Sequence, residues 1–129
     1  MQEGRSSPVR VWRWGGRGFT PPRTIGVLRR RAPRTLGHGT PGPDSLALGL
    51  DAAGHLFVAW SLLPRECHGH HCLVLRRSDR RGFRRPVTYA AGTAPLAQPD
   101  QIRIAVNAAG RGWLVWSTHD QRIRAVPAC

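Results

Sequence analysis

Lysine is missing altogether: the 20 basic residues of this 129-residue chain are all arginine, and against seven acidic residues they leave a formal net charge of +13. Tyrosine occurs once, as Tyr89, and glutamate only as Glu3 and Glu66. No apolar run approaches the ~20 residues of a membrane span, which excludes an integral helical membrane protein. No P-loop, Rossmann fingerprint, nucleophile elbow or metalloprotease helix occurs, and no cofactor is expected. Helical periodicity is absent as well, because Gly and Pro, 15 and 11 in number, interrupt every candidate window. The start Met1-Gln2-Glu3-Gly4-Arg5 leads into no apolar stretch of the kind a secretory signal needs. What is present is a hydrophobic content of 40%, enough to argue against wholesale disorder, in a length that suits one domain. Charge alone suggests a nucleic-acid partner.

The chain repeats itself. Pro43 to Ser61 returns 56 residues later as Pro99 to Ser117, with seven of 19 positions identical: Pro43/Pro99, Asp44/Asp100, Ala52/Ala108, Ala53/Ala109, Gly54/Gly110, Trp60/Trp116 and Ser61/Ser117. Other positions exchange like for like, as in Leu46/Ile102, Leu48/Ile104, Leu50/Val106 and Asp51/Asn107. A second correspondence, at an offset of 64, aligns Val9, Val11, Arg13, Arg17, Gly18, Phe19, Pro22 and Thr24 with Leu73, Leu75, Arg77, Arg81, Gly82, Phe83, Pro86 and Thr88. The offsets differ because the connection around residues 29–42 is longer than its counterpart around 91–98.

Each half of the unit reads as a β-hairpin. Leu46, Leu48 and Leu50 alternate with smaller residues, and Asp51-Ala52-Ala53-Gly54 then supplies a turn. Asp opens such a turn by accepting from the backbone ahead, and Gly takes the positive φ that closes it. Leu56, Val58 and Trp60 line one side of the return strand. The second half has Leu73-Val74-Leu75, a polar turn over Ser78 to Gly82, and a last strand from Phe83 to Thr88, in which Pro86 fits an exposed edge. The chain is therefore expected to be all-β, with four antiparallel strands per unit, the size of a propeller blade.

These motifs resemble the sialidase-like β-propellers, in particular Arg- and Ala-rich bacterial repeat proteins. The resemblance rests on Leu48-Gly49-Leu50-Asp51-Ala52-Ala53-Gly54, on Val58-Ala59-Trp60, and on Leu75 through Gly82-Phe83 to Pro86. Asp51, Gly54, Trp60, Gly82, Phe83, Asn107, Gly110 and Trp116 define the blades. The turn Ser78-Asp79-Arg80-Arg81-Gly82-Phe83 is similar to an Asp-box, a structural turn, with its Asp one residue early. In blade phase the chain holds an outer hairpin (9–25), a complete blade (46–88) and an incomplete one (102–126). That makes about two and a quarter blades of an incomplete propeller within a single domain, 1–129. The expectation is a segment of a longer propeller, with a chain that associates with copies of itself or a marginally folded product as the alternatives.

Chemistry is concentrated in two places. Cys67-His68-Gly69-His70-His71-Cys72 lies in the loop joining the second and third strands of the complete blade. It either closes a Cys67–Cys72 disulfide, or holds Zn²⁺ or Cu through Cys67, His70, His71 and Cys72, or does neither. Cys129 is expected to be unpaired or cut from its partner. The doublets Arg76-Arg77, Arg80-Arg81 and Arg84-Arg85, with Arg29-Arg30-Arg31 and Arg34, are candidate contacts for phosphates or anionic glycans. Trp12 and Trp14, interleaved with Arg13, suit base stacking and blade packing equally. An arginine-only basic set rich in Ala, Gly and Pro is also what GC-rich coding yields without selection for binding. His38 and His55 are expected to be exposed.

The resemblance implies an arginine cluster, a Tyr nucleophile with a Glu partner and an Asp acid for a sialidase. No spacing unites Tyr89 with Glu3 or Glu66. The expected function is a non-catalytic binding or scaffolding propeller segment that recognises ligands through loops 29–42 and 61–72. Its partners would be further blades, a second copy, or an anionic glycan or cell-surface polymer. A remnant of a sialidase-like glycoside hydrolase and a basic nucleic-acid or polyanion binder are the alternatives. A disulfide implies an oxidising compartment, so the chain is extracellular or at the cell surface if its start is truncated, and cytoplasmic if Met1 is genuine.

Overall fold

The computed structural model describes residues 6–29, 46–62, 67–92 and 99–128. Among them there is no helix, and hence none long and apolar enough to cross a membrane. Ten strands alternate with turns: β1 (Ser6–Val11), β2 (Arg23–Arg29), β3 (Leu46–Leu50), β4 (Leu56–Leu62), β5 (His71–Asp79), β6 (Gly82–Phe83), β7 (Val87–Gly92), β8 (Pro99–Val106), β9 (Gly112–Thr118) and β10 (Ile123–Ala128). They form three antiparallel sheets in chain order: β1-β2, then β3-β4-β5 with β6 and β7 both pairing β5, then β8-β9-β10. No sheet closes on itself.

Strand extents run a few residues beyond those expected at most ends. The last strand of the central sheet differs more. Pairing on β5 through Ser78↔Phe83 lapses over residues 84–86 and resumes at Leu75↔Val87, continuing to His71↔Gly92. Pro86, which has no N–H to give a ladder, stands exposed at the sheet's edge just before β7, in the gap that follows β6, and not inside a continuous strand.

The sequence of β4 explains why the sheets stack. Phe57, Val58, Ala59 and Trp60 are all buried, as are Cys72, Leu73, Val74 and Leu75 of β5. Successive strand residues point to opposite faces, so a run apolar at every position needs cover on both. Val58, Trp60 and Val74 receive it from Val9 and Ile25 of the first sheet. Phe57, Ala59, Leu73 and Leu75 receive it from Ile102, Leu114 and Trp116 of the third. The result is three layers with the five-stranded sheet in the middle. Each large apolar side chain buried between them contributes about 1.5–3 kcal/mol.

The two inner hairpins are built alike. Leu46↔Trp60, Leu48↔Val58 and Leu50↔Leu56 in β3–β4 correspond to Ile102↔Trp116, Ile104↔Leu114 and Val106↔Gly112 in β8–β9. The hairpin tips β1–β2 and β5–β7 also match. Thr20 N–H donates to the Arg13 carbonyl (2.7 Å) as Arg84 N–H donates to that of Arg77 (2.8 Å), and the Trp14↔Phe19 bridge parallels Ser78↔Phe83. Val11↔Arg23 and Arg10↔Thr24 likewise answer Leu75↔Val87 and Val74↔Thr88.

Two glycines set how closely the layers approach. A Cβ at Gly26 would lie 2.4 Å from Cζ2 of Trp60, and one at Gly49 would lie 2.6 Å from a methyl of Ile104. Gly26→Ala and Gly49→Ala should each destabilise the fold by about 1–3 kcal/mol through overpacking, read as a lower urea midpoint. Gly18→Ala, at a position with open space around it, should leave the midpoint within about 0.5 kcal/mol of wild type.

Candidate functional site

The turns β3–β4, β5–β6 and β8–β9 and the tip of β1–β2 gather at one end of the stack, where polar side chains tie them together. Asp51 is buried at the start of its turn, with its Oδ1 accepting from the N–H groups of Ala53 (2.9 Å) and His55 (2.8 Å). Gly54 closes that turn at a φ of 83°, and Gly110 does the same at 80° after Asn107, whose Oδ1 accepts from Arg111 N–H at 2.9 Å. The other Asp51 oxygen lies 3.0 Å from His55 Nδ1 and 3.9 Å from an Arg77 nitrogen. His55, expected to be simply exposed, is instead half-buried against Asp51, because its backbone and ring both reach that carboxylate.

Ser78, buried at the end of β5, is the other tie. Its hydroxyl accepts from Leu56 N–H at 2.8 Å and from the Arg13 guanidinium at 3.3 Å, which links the central sheet to the tip of the first. In the turn that follows, Asp79 accepts from Arg81 N–H (2.8 Å) and from Arg84 Nε (3.2 Å). Gly82 is at a φ of 130°.

The six candidate anion contacts fall into different roles. Arg76 spans two sheets, donating to the Ile25 carbonyl at 2.7 Å and to Arg84 O at 3.0 Å, and it lies over the Phe83 ring. Arg77 covers the Phe57 ring at 4.8 Å beside Asp51. Arg84 pairs with Asp79. Those three serve the fold. Arg80, Arg81 and Arg85 are exposed, and Arg80 and Arg81 line a groove of about 350 Å³ between the β1–β2 tip and the β5–β6 turn. Arg13, Arg23, Thr20 and Asp79 line it too. Arg23 was not singled out by its sequence position. Its signal is geometric: its guanidinium occupies the space that a Gly82 side chain would take, 3.0 Å from the Cβ position.

Trp12, Trp14 and Phe19 are exposed, with Trp14 edge-on to Phe19 at 5.3 Å, so these rings do not fill the stack. None of them lines the groove. Tyr89 is half-buried and donates from its hydroxyl to the Pro127 carbonyl at 3.1 Å, tying β7 to β10. Glu3, Glu66, Cys129, His38, Arg30, Arg31, Arg34 and most of loop 29–42 lie outside the described residues, as do residues 63–66 of loop 61–72.

Cys67 and Cys72, at the opposite end of the sheet, are buried at disulfide distance with their Cα atoms 6.3 Å apart. Residues 67–70 make the turn that sets this approach, through His70 N–H to Cys67 O at 3.0 Å. His70 is exposed and His71 half-buried. Among the described residues, no three His, Cys, Asp or Glu side chains converge as a metal site.

Comparison with models of protein families, with curated proteins and with solved structures finds no match. The likeness to sialidase-like propellers therefore rests on the sequence motifs.

Asp51, Asp79 and Asp120 all contribute to the acid limb of stability, Asp120 because the Thr118 hydroxyl and Arg122 hold its carboxyl low. Burial works against ionisation of Asp51, but the His55 N–H and ring and the Ala53 N–H outweigh it and hold the carboxyl below its ordinary 3.8. For Asp79 the Arg81 N–H and the Arg84 guanidinium do the same. A carboxyl depressed in the folded chain stabilises it fully above the unfolded value, and that contribution disappears as pH falls through the folded value. The urea midpoint should therefore drop below about pH 4. Asp51→Asn should keep the turn, as Asn107 does, and make that drop shallower. At the other end, Cys67→Ala/Cys72→Ala should cost about 2 kcal/mol from the lost loop constraint. A reducing agent should lower the wild-type midpoint by the same amount and leave the double variant unchanged.

Proposed function

We propose that this chain is a non-catalytic binding and scaffolding segment of a sialidase-like propeller, whose layers are completed by further sheets of the same kind. The observation that carries the proposal is an inequality between matched positions. Ile102 of β8 is 1% exposed, and Ile104 and Val106 are half-buried against the central sheet. Their counterparts Leu46, Leu48 and Leu50 on β3 are 43%, 64% and 60% exposed. The two hairpins have the same register, so β3 presents to its own preceding layer the face that β8 presents to the central sheet. The first sheet covers β4 and β5 on that side through Val9 and Ile25, and β3 is left bare.

A matching receptor surface lies at the far side of the stack. Val58 and Trp60 correspond to Leu114 and Trp116, so Phe57 and Ala59 correspond to Trp113 and Val115. Phe57 and Ala59 are buried under the third sheet, whereas Trp113 stands exposed, as does Ile123 on the neighbouring strand. Contiguous apolar surface of this kind favours association over solvation. A non-catalytic role is supported by Tyr89, whose hydroxyl is engaged with a backbone carbonyl.

For the 129-residue chain alone, the sheet that covers β3 is expected to come from a second copy. Analytical ultracentrifugation should show concentration-dependent association, and Leu48→Asp/Leu50→Asp should shift it to monomer with an unchanged far-UV spectrum. A wild-type chain that stays monomeric up to high micromolar concentration would overturn the proposal.

A further inference from the structure

We propose that the groove between the β1–β2 tip and the β5–β6 turn is a binding site for a dianionic tetrahedral oxyanion, the head of a phosphate or sulfate monoester. The inference is independent of how the sheets assemble. Four guanidinium-bearing residues line the groove, Arg13, Arg23, Arg80 and Arg81, with a single carboxylate, that of Asp79. Asp79 carries one negative charge against four positive ones, and it is ion-paired at 3.2 Å with Arg84, which stands outside the lining. The groove thus carries an excess of positive charge on the side chains best suited to grip an oxyanion by two parallel bonds.

The comparison of Arg13 with Arg77 shows what is wanting. Both hold the same place in their turns, each carbonyl accepting from the N–H seven residues on. Arg77 has the Asp51 carboxylate beside it at 3.9 Å. Arg13 reaches a neutral hydroxyl, that of Ser78, and its first sheet contributes no inner hairpin among the described residues to supply an aspartate. An external anion would stand where Asp51 stands for Arg77. Arg23 also lies at the groove, over the Phe83 ring at 5.8 Å and with its guanidinium 3.0 Å from where a Cβ at Gly82 would stand.

The groove favours a discrete anion over a nucleic-acid strand. Single-stranded nucleic acid is held by bases stacked on aromatics beside a basic track. Here the exposed rings, Trp12, Trp14 and Phe19, are outside the lining, whose one ring is the half-buried Phe83. A volume of about 350 Å³ suits a phosphate or sulfate group with the small sugar or alcohol that carries it.

The test is calorimetric titration with inorganic phosphate and inorganic sulfate, each at constant ionic strength set by chloride. Saturable one-to-one binding is expected, weakened about tenfold for each guanidinium removed, in Arg23→Gln and in Arg80→Gln/Arg81→Gln. Arg124→Gln, at an exposed position on β10 away from the groove, should bind as wild type does. Saturation by both ions supports the shared oxyanion chemistry, and saturation by one assigns the ester. Equal binding by wild type and the groove variants, or no saturation with either ion, would overturn the proposal. So would a thymidine oligonucleotide that binds far more tightly than phosphate and is indifferent to the groove variants.

Discussion

β4 and β5 are apolar on both faces, and this one constraint organises the molecule. A strand with a wet face alternates, and its sheet can stop at two layers. A pair of strands carrying Phe57, Val58, Ala59 and Trp60 beside Leu73, Val74 and Leu75 has no wet face, so a layer must lie on each side. The first and third sheets answer that demand with side chains of modest size, Val9 and Ile25 on one side and Ile102 and Leu114 on the other, with Trp116 as the large exception. The glycines at 26 and 49 follow from the same constraint, since the layers meet most closely where a large ring or a branched methyl faces bare backbone. So do the ties at the turn end, where Arg76 donates to the Ile25 carbonyl and Arg13 to Ser78.

Local rules made the hairpins legible in the sequence. Asp51 and Asn107 announce turns because their side chains accept from the backbone ahead, and Gly54 and Gly110 close them because they take a positive φ. The strand registers then follow from the turn length, which is why matched letters at fixed offsets became matched pairs. Pro86 lies at the exposed edge as expected, but the strand around it is split into β6 and β7 instead of running on.

The arginines were not legible, because their roles depend on which layer lies opposite. Nothing in the letters of Arg76-Arg77 or Arg80-Arg81 distinguishes a side chain that crosses to a neighbouring sheet from one that faces solvent. Arg13 and Arg23 join Arg80 and Arg81 only because the first hairpin lies against the central sheet. Trp12 and Trp14 alternate as core residues do, yet stand exposed, since periodicity records which face a residue takes and not what covers it. Among the described arginines, some hold layers together, some face the groove, and others such as Arg85 and Arg124 face solvent elsewhere.

The unequal cover of β3 and β8 also gives the molecule a polarity. One side of the stack exposes Leu46, Leu48 and Leu50, and the other exposes Trp113 and Ile123, so the two sides are chemically different. In the proposed assembly, a contact between the leucine side of one copy and the Trp113 side of the next would be heterologous, and each union would leave one face of each kind unfilled. Growth then stops only when the rotation from layer to layer adds up to a full turn and the last face meets the first. If the rotation falls short of that sum, the same contact winds into an open fibre. In such an assembly the twist between neighbouring sheets would separate a finite ring from an endless polymer.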